Sequence, residues 1–172
     1  VKLLIFDVEF EKLCIIQDTR EKMGKHEHVL KEFQALGINV IREPLPIGDY
    51  ALQDDWSTVI DTKQDLFEVI NNLTSQHERF RKELIKAKNF KIQLIVLIEQ
   101  NFDSIYDIQF WRVPTFKNGK PRTLMKPETL MKIMLTTEQK YGVKYMFCDK
   151  NNTAYTILDI LTRKERNGKE SN

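Results

Sequence analysis

Three short polar fragments follow or interrupt apolar stretches of this 172-residue chain: Asp18-Thr19-Arg20-Glu21, Gly48-Asp49-Tyr50 and Asp61-Thr62-Lys63. Asp49 and Asp61 flank a turn between two extended segments, and paired antiparallel strands bring opposed residues to about 5 Å of each other. Two carboxylates at that separation could share one divalent ion, and a hard site for Mg2+ or Mn2+ needs only one or two, with water and substrate phosphate completing the shell. Lys63 lies two residues beyond Asp61, so in a strand it leaves the same face. An ammonium beside a carboxylate-held cation suits phosphodiester hydrolysis: the cation polarises the phosphate, and the lysine orients water or offsets the growing negative charge.

The elements that must position these groups can be read from the surrounding pattern. Leu13 to Gln17 is a short apolar run that suits a buried strand delivering Asp18 to the site. Helical spacing of Val29, Leu30, Phe33 and Leu36 predicts a helix over 26–36, stopped by Gly37. Segments 38–42, 47–53 and 57–61 read as three successive strands. Their short links contain Pro44, Pro46 and Asp54-Asp55, so they are expected to form an antiparallel meander.

After Asp65 the period becomes helical through Leu66, Phe67, Val69, Ile70 and Leu73. A further helix is expected from Ser75, whose spacing to Glu78 is that of a capping box. The run 92–98 suits a central strand covered on both faces. Asn118-Gly119 suits a hairpin turn within the irregular stretch 101–126. Pro127 opens a helix that ends at Gly142, and 143–148 and 154–161 read as a strand and a last helix.

The order of fragments is more specific than any one of them. Asp18-Thr19-Arg20-Glu21, Gly37, Pro46-Ile47-Gly48-Asp49-Tyr50, Val59-Ile60-Asp61-Thr62-Lys63, Asp65-Leu66, Arg79 and Leu97-Ile98-Glu99 together resemble the XPF-type nuclease domain of the PD-(D/E)XK superfamily. That family includes flap and fork endonucleases and archaeal fork-processing helicase-nucleases. The resemblance implies a restriction-endonuclease-like α/β fold: a central mixed sheet with an antiparallel meander, flanked by helices. It further implies divalent-metal cleavage of branched DNA, with Asp18, Arg20, Glu21, Asp49, Asp61 and Lys63 as catalytic residues and Asp18, Asp49 and Asp61 as ligands of Mg2+ or Mn2+. Two positions depart from the family pattern: Asp61 stands for its Glu and Thr62 for its Arg. Its later acid also lies further along than Asp65, which is better placed to cap the next helix.

The nuclease domain is expected over 13–162, with an insertion at 101–126, an N-terminal extension at 1–12 and a charged, flexible tail at 163–172. A hydrophobic content of 41% and a charged content of 30% are ordinary for one globular domain. The net charge of +2 conceals a clustering of basic residues. Residues 79–91 hold six Lys/Arg against one Glu, and 112–132 again six against one. Arg79, Arg81, Lys82 and Lys86 in the first block, and Arg112, Lys117, Lys120 and Arg122 in the second, are the candidate DNA contacts. Trp111 and Phe116 add aromatic faces that could stack unpaired bases or instead pack a small core of the insertion.

Other residues read more plainly. His26 and His28 lack zinc-ligand spacing and are expected to be exposed at a helix start, and Glu99 is either a supporting carboxylate or a solvated strand end. Cys14 and Cys148 sit in apolar segments as free thiols, and no apolar run reaches membrane-spanning length. An intracellular location is the default expectation, and the sequence leaves open a homodimer or heterodimer. The competing functional readings are an inactive nuclease-fold DNA-binding subunit of a larger complex and, by fold analogy alone, a sequence-specific restriction enzyme.

Overall fold

The computed structural model describes residues 13–20 and 24–169, with the side chains of 164–169 left aside. The expected extension at 1–12, Glu21 and the last residues of the tail lie outside the described residues. Six strands form one mixed sheet in the order β2-β1-β3-β4-β5-β6: β1 Cys14–Asp18, β2 Asn39–Glu43, β3 Tyr50–Leu52, β4 Thr58–Lys63, β5 Gln93–Glu99 and β6 Lys144–Cys148. The helices are α1 Glu27–Ala35, α2 Leu66–Leu73, α3 His77–Asn89, α4 Pro127–Tyr141 and α5 Thr153–Lys169.

Alternation along the strands sends side chains into two separate cores. On one face Ile16, Ala51, Val59, Val96 and Ile98 pack with Leu66 and Val69 of α2, Phe80 and Leu84 of α3, and Leu130 and Met134 of α4. On the other, Ile15, Tyr50, Ile60 and Leu97 pack with Val29 and Phe33 of α1 and Ile157, Leu158 and Leu161 of α5. Covering both faces is what lets β5 carry an almost unbroken apolar run through the middle of the sheet.

The antiparallel part of the sheet differs from the sequence expectation. β3 runs antiparallel to both β1 and β4, but β2 runs parallel to β1 on that strand's far side. The three consecutive strand segments therefore do not form one meander. Helix α1 stands between β1 and β2, and such a crossover returns the chain parallel. The link after β2 is also no solvent turn, because Leu45 and Ile47 are buried and carry the chain back across to β3.

Asp65 caps α2 as expected: its carboxylate accepts the Glu68 N–H at 3.0 Å at the start of the helix. Three further details depart from the sequence reading. The Ser75 hydroxyl bonds back to Asn71, and α3 begins at His77 without a side-chain cap. A capping box does form at Ser104 and Asp107, opening a short 3-10 helix over Ile105–Phe110. Finally, α5 continues to Lys169, past the expected end at Leu161, supported by an Asp159–Arg163 pair one turn apart at 2.9 Å. The expected hairpin is present, with Phe116 N donating to Lys120 O at 2.8 Å around Gly119.

Candidate active site

The polar fragments meet where β1 and β4 end and β3 begins. Asp49 lies in the bend entering β3, and its main chain bridges both neighbours: its N–H donates to Ile60 O at 2.7 Å and its carbonyl accepts from Asp18 N at 2.8 Å. Tyr50 pairs with Ile60, so Asp49, just before Tyr50, and Asp61, just after Ile60, are carried to the same end of the strand pair. Gly48 makes this approach possible. Its φ of 68° favours glycine, and a Cβ there would lie 2.5 Å from Val59 Cγ1 and 2.9 Å from Ile60 O.

Each carboxylate has a distinct setting. Asp49 Oδ2 accepts both the N–H and the hydroxyl of Thr62, each at 2.7 Å. Asp61 is buried, and Lys63 Nζ lies 2.6 Å from its Oδ1 and 2.5 Å from its Oδ2, yet Oδ2 accepts no properly angled hydrogen bond. Asp18 is also buried, but its oxygens are engaged by Arg20, through the backbone N–H at 2.9 Å and the guanidinium. The same guanidinium reaches Leu45 O at 2.7 Å. Asp18 thus holds Arg20 at the rim, while Asp49 is held by Thr62 and Asp61 by Lys63 in the same cleft.

These side chains line a cleft of about 520 Å3, together with Lys25, Gln64 and Glu68 and, from α2 and α3, Asn71, Asn72, Arg79 and Glu83. Burial pushes the Asp61 carboxyl above its ordinary pKa, with Asp49 adding to the rise and Lys63 opposing it. Glu83 is pushed up in the same direction, first by burial and then by the Asp61 charge. The Lys63 ammonium stays protonated despite its own burial because Asp61, Asp49 and Glu68 surround it. Burial is thus the first cause of both shifts, and the mutual repulsion of the cleft's acids adds to it. The acidic side chains gathered there, an all-oxygen donor set from Asp49 and Asp61, fit a hard divalent cation.

The ERCC4 domain family model matches residues 17–160. The chain belongs to the ERCC4 domain family. Its fold is that of the XPF nuclease domain and is restriction-endonuclease-like. Among solved structures it resembles XPF from Aeropyrum pernix at 19% identity and a TM-score of 0.62, with 89% of this chain and 65% of that chain covered. A second structure, XPF from Aeropyrum pernix in complex with DNA, matches at 18% identity and a TM-score of 0.62, covering 90% and 66%. This chain therefore spans just under two thirds of the length of the chains it matches. No curated protein sequence matches it.

In this ERCC4 domain the candidate residues from the sequence divide into two groups. Asp18, Arg20, Asp49, Asp61, Lys63 and Arg79 share the cleft, whereas Arg81, Lys82, Lys86, Arg112, Lys117, Lys120 and Arg122 do not line it. Lys86 donates to Pro46 O at 3.0 Å, just before the Gly48-Asp49 bend. Arg122 stacks 4.2 Å over the Phe67 ring, and Phe67 packs edge-on against the buried Trp111. That part of the insertion is a small core on α2, leaving Phe116 exposed on the hairpin. Glu83 and Lys25 belong to the cleft but lay outside the sequence candidates. For Glu83 a signal existed: it is the one acid of its basic block and lies one helical turn after Arg79.

Proposed function

We propose that this ERCC4 domain is a divalent-metal-dependent DNA endonuclease that hydrolyses phosphodiester bonds at branched or single/double-strand junctions. The observation that carries the reading is the Asp49 and Asp61 carboxylates sharing one cleft, with the Lys63 ammonium held on Asp61 and Arg20, Lys25 and Arg79 in the same lining. Asp49 and Asp61 would hold Mg2+ or Mn2+. When bound, the ion would polarise the scissile phosphate and make a neighbouring water more acidic.

The chain's own residues supply the rest. Thr62 fixes the rotamer of Asp49 through two hydrogen bonds, so that carboxylate needs little reordering on binding. Lys63 places a protonated amine at the floor of the cleft, where it can meet a non-bridging oxygen as negative charge grows. Asp18 holds Arg20 at the rim, and with Arg79 that guanidinium positions the DNA backbone without reading bases. Glu83 adds a further carboxyl to the cleft lining. A preference for branched DNA rests on the family resemblance, and the DNA complex of the archaeal relative supports DNA as the partner.

Labelled fork, flap, four-way junction and linear duplexes, incubated with and without Mg2+, test the proposal. Expected is Mg2+-dependent nicking of the branched substrates, abolished in Asp49→Asn with DNA binding retained. DNA binding without cleavage of any substrate, across Mg2+ and Mn2+, would favour the non-catalytic subunit instead.

A further inference from the structure

Two of the chain's three histidines meet a carboxylate on the sheet face opposite the cleft. Glu99 closes β5. There Ile98 packs among α2 to α4 and Leu97 among α1 and α5, so Glu99 follows Leu97 to the α1 and α5 side. His26, expected at the surface, is only 2% exposed, and His28 is half-buried in the first turn of α1. The backbone of His26, at φ −120° and ψ 43°, is not yet helical. That kink brings the two rings together, with centroids 5.8 Å apart, although two helical residues at this spacing would diverge.

The donor atoms converge, and those of His26 and one oxygen of Glu99 lack hydrogen-bond partners. His28 Nε2 lies 2.5 Å and His26 Nδ1 3.6 Å from Glu99 Oε1, and one donor atom from each of the three residues falls within 4.8 Å of the others. Both ring nitrogens of His26 and Glu99 Oε2 are buried without a hydrogen bond. Buried polar atoms are rarely left so, because each gives up its water without compensation. A single cation among the three residues would compensate them together. Ligand atoms about 2.0–2.1 Å from a tetrahedral ion stand roughly 3.3 Å apart, a separation that small side-chain movements would reach here.

We propose that His26, His28 and Glu99 form a transition-metal site of the zinc class, independent of the cleft, that fastens the start of α1 to the end of β5. Two imidazoles favour zinc-like ions over Mg2+ or Ca2+, which prefer oxygen donors. The Thr153 hydroxyl donates to Glu99 Oε1 at 2.8 Å, the kind of outer hydrogen bond that orients a ligating carboxylate. Three protein donors leave a fourth position for water on the side where His28 reaches solvent. The strap would also steady the cleft from behind, since Lys25, adjacent to His26, lines it and pairs with Glu68 at 3.2 Å.

The test uses the whole chain, stripped with chelator and titrated with Zn2+ by calorimetry, with Co2+ as a spectroscopic substitute. Expected are one Zn2+ per chain in an Asp49→Asn/Asp61→Asn background, a raised Tm, and visible Co2+ bands of a four-coordinate site. His28→Ala in that background should weaken Zn2+ binding by at least about a hundredfold, more than outer-shell losses usually do. Stoichiometric binding lost with Asp49 and Asp61, or unchanged by both His28→Ala and Glu99→Gln, would overturn the proposal. Should the variants not fold, X-ray absorption of the Zn2+-loaded parent decides: two imidazoles at the zinc support the site, and none refutes it. Cleavage assays do not enter these readouts, so failure here is distinct from failure of the nuclease proposal.

Discussion

The Thr62 hydroxyl and N–H both donate to one oxygen of Asp49, across the strand pair that carries the candidate ligands. Thr62 stands where related nucleases are expected to carry arginine, and it is completely buried. The substitution therefore removes a cation and adds a local anchor for the opposing carboxylate.

Thr62→Val tests that anchor, because it keeps the shape and the N–H but removes the hydroxyl. A hydrogen bond to a charged group contributes about 1.5–3 kcal/mol, so single-turnover cleavage should fall roughly tenfold to a hundredfold if the bond matters for geometry. Cleavage at the parent rate, with unchanged Mg2+ dependence, would show that the N–H alone suffices.

Gly48→Ala should be among the more damaging small substitutions. The new methyl group would meet Val59 Cγ1 at 2.5 Å and Ile60 O at 2.9 Å, in a backbone with positive φ. Strain of this type costs on the order of 1–3 kcal/mol. Urea denaturation should show that loss. Cleavage should fall further than stability explains, since Asp49 is the next residue. An alanine variant as stable as the parent would mean that the bend relaxes freely.

Arg79 and Arg122 should separate by assay. Arg79 lines the cleft, so Arg79→Ala should weaken DNA binding across sequences and lower the salt slope by about one. Arg122 covers the Phe67 ring, so Arg122→Ala should lower Tm and leave the salt slope nearly unchanged. Fluorescence anisotropy across a salt series, read beside thermal melts, checks both. A reversed pattern would place the DNA track over the insertion.

The contrast shows which parts of the molecule were legible in sequence. Asp49, Asp61 and Lys63 could be placed because strand alternation and a short turn are local rules, and Tyr50 opposite Ile60 is their direct outcome. The pairing of β2 was not legible from its turn residues, since direction depends on where α1 packs. Burial of His26 was hidden for the same reason: a histidine before a helix looks solvated until Glu99, far along the chain, is brought to it. Arg122 and Lys86 share a charge with Arg79, and only tertiary contacts tell a stacked or backbone-bound cation from one facing the cleft.

Lys63 offers the sharpest test of chemistry, because its partner and burial separate its two roles. It is 7% exposed and paired with Asp61, so removing its charge changes both transition-state stabilisation and the setting of a buried carboxylate. Lys63→Met retains most of the stem and its packing while deleting the ammonium. If Lys63 acts on the developing charge, single-turnover cleavage at saturating Mg2+ should drop by about a hundredfold or more, the scale of losing one transition-state donor. DNA affinity should stay close to the parent's, because the loss falls on the chemical step. The metal arm fixes the sign of the second effect. Without Lys63, Asp61 loses its nearby cation, so a bound Mn2+ becomes its main counterion and Mn2+ affinity should hold or rise. Lost Mn2+ binding would instead make Lys63 a residue that shapes the ligand, and normal cleavage would remove it from the site altogether.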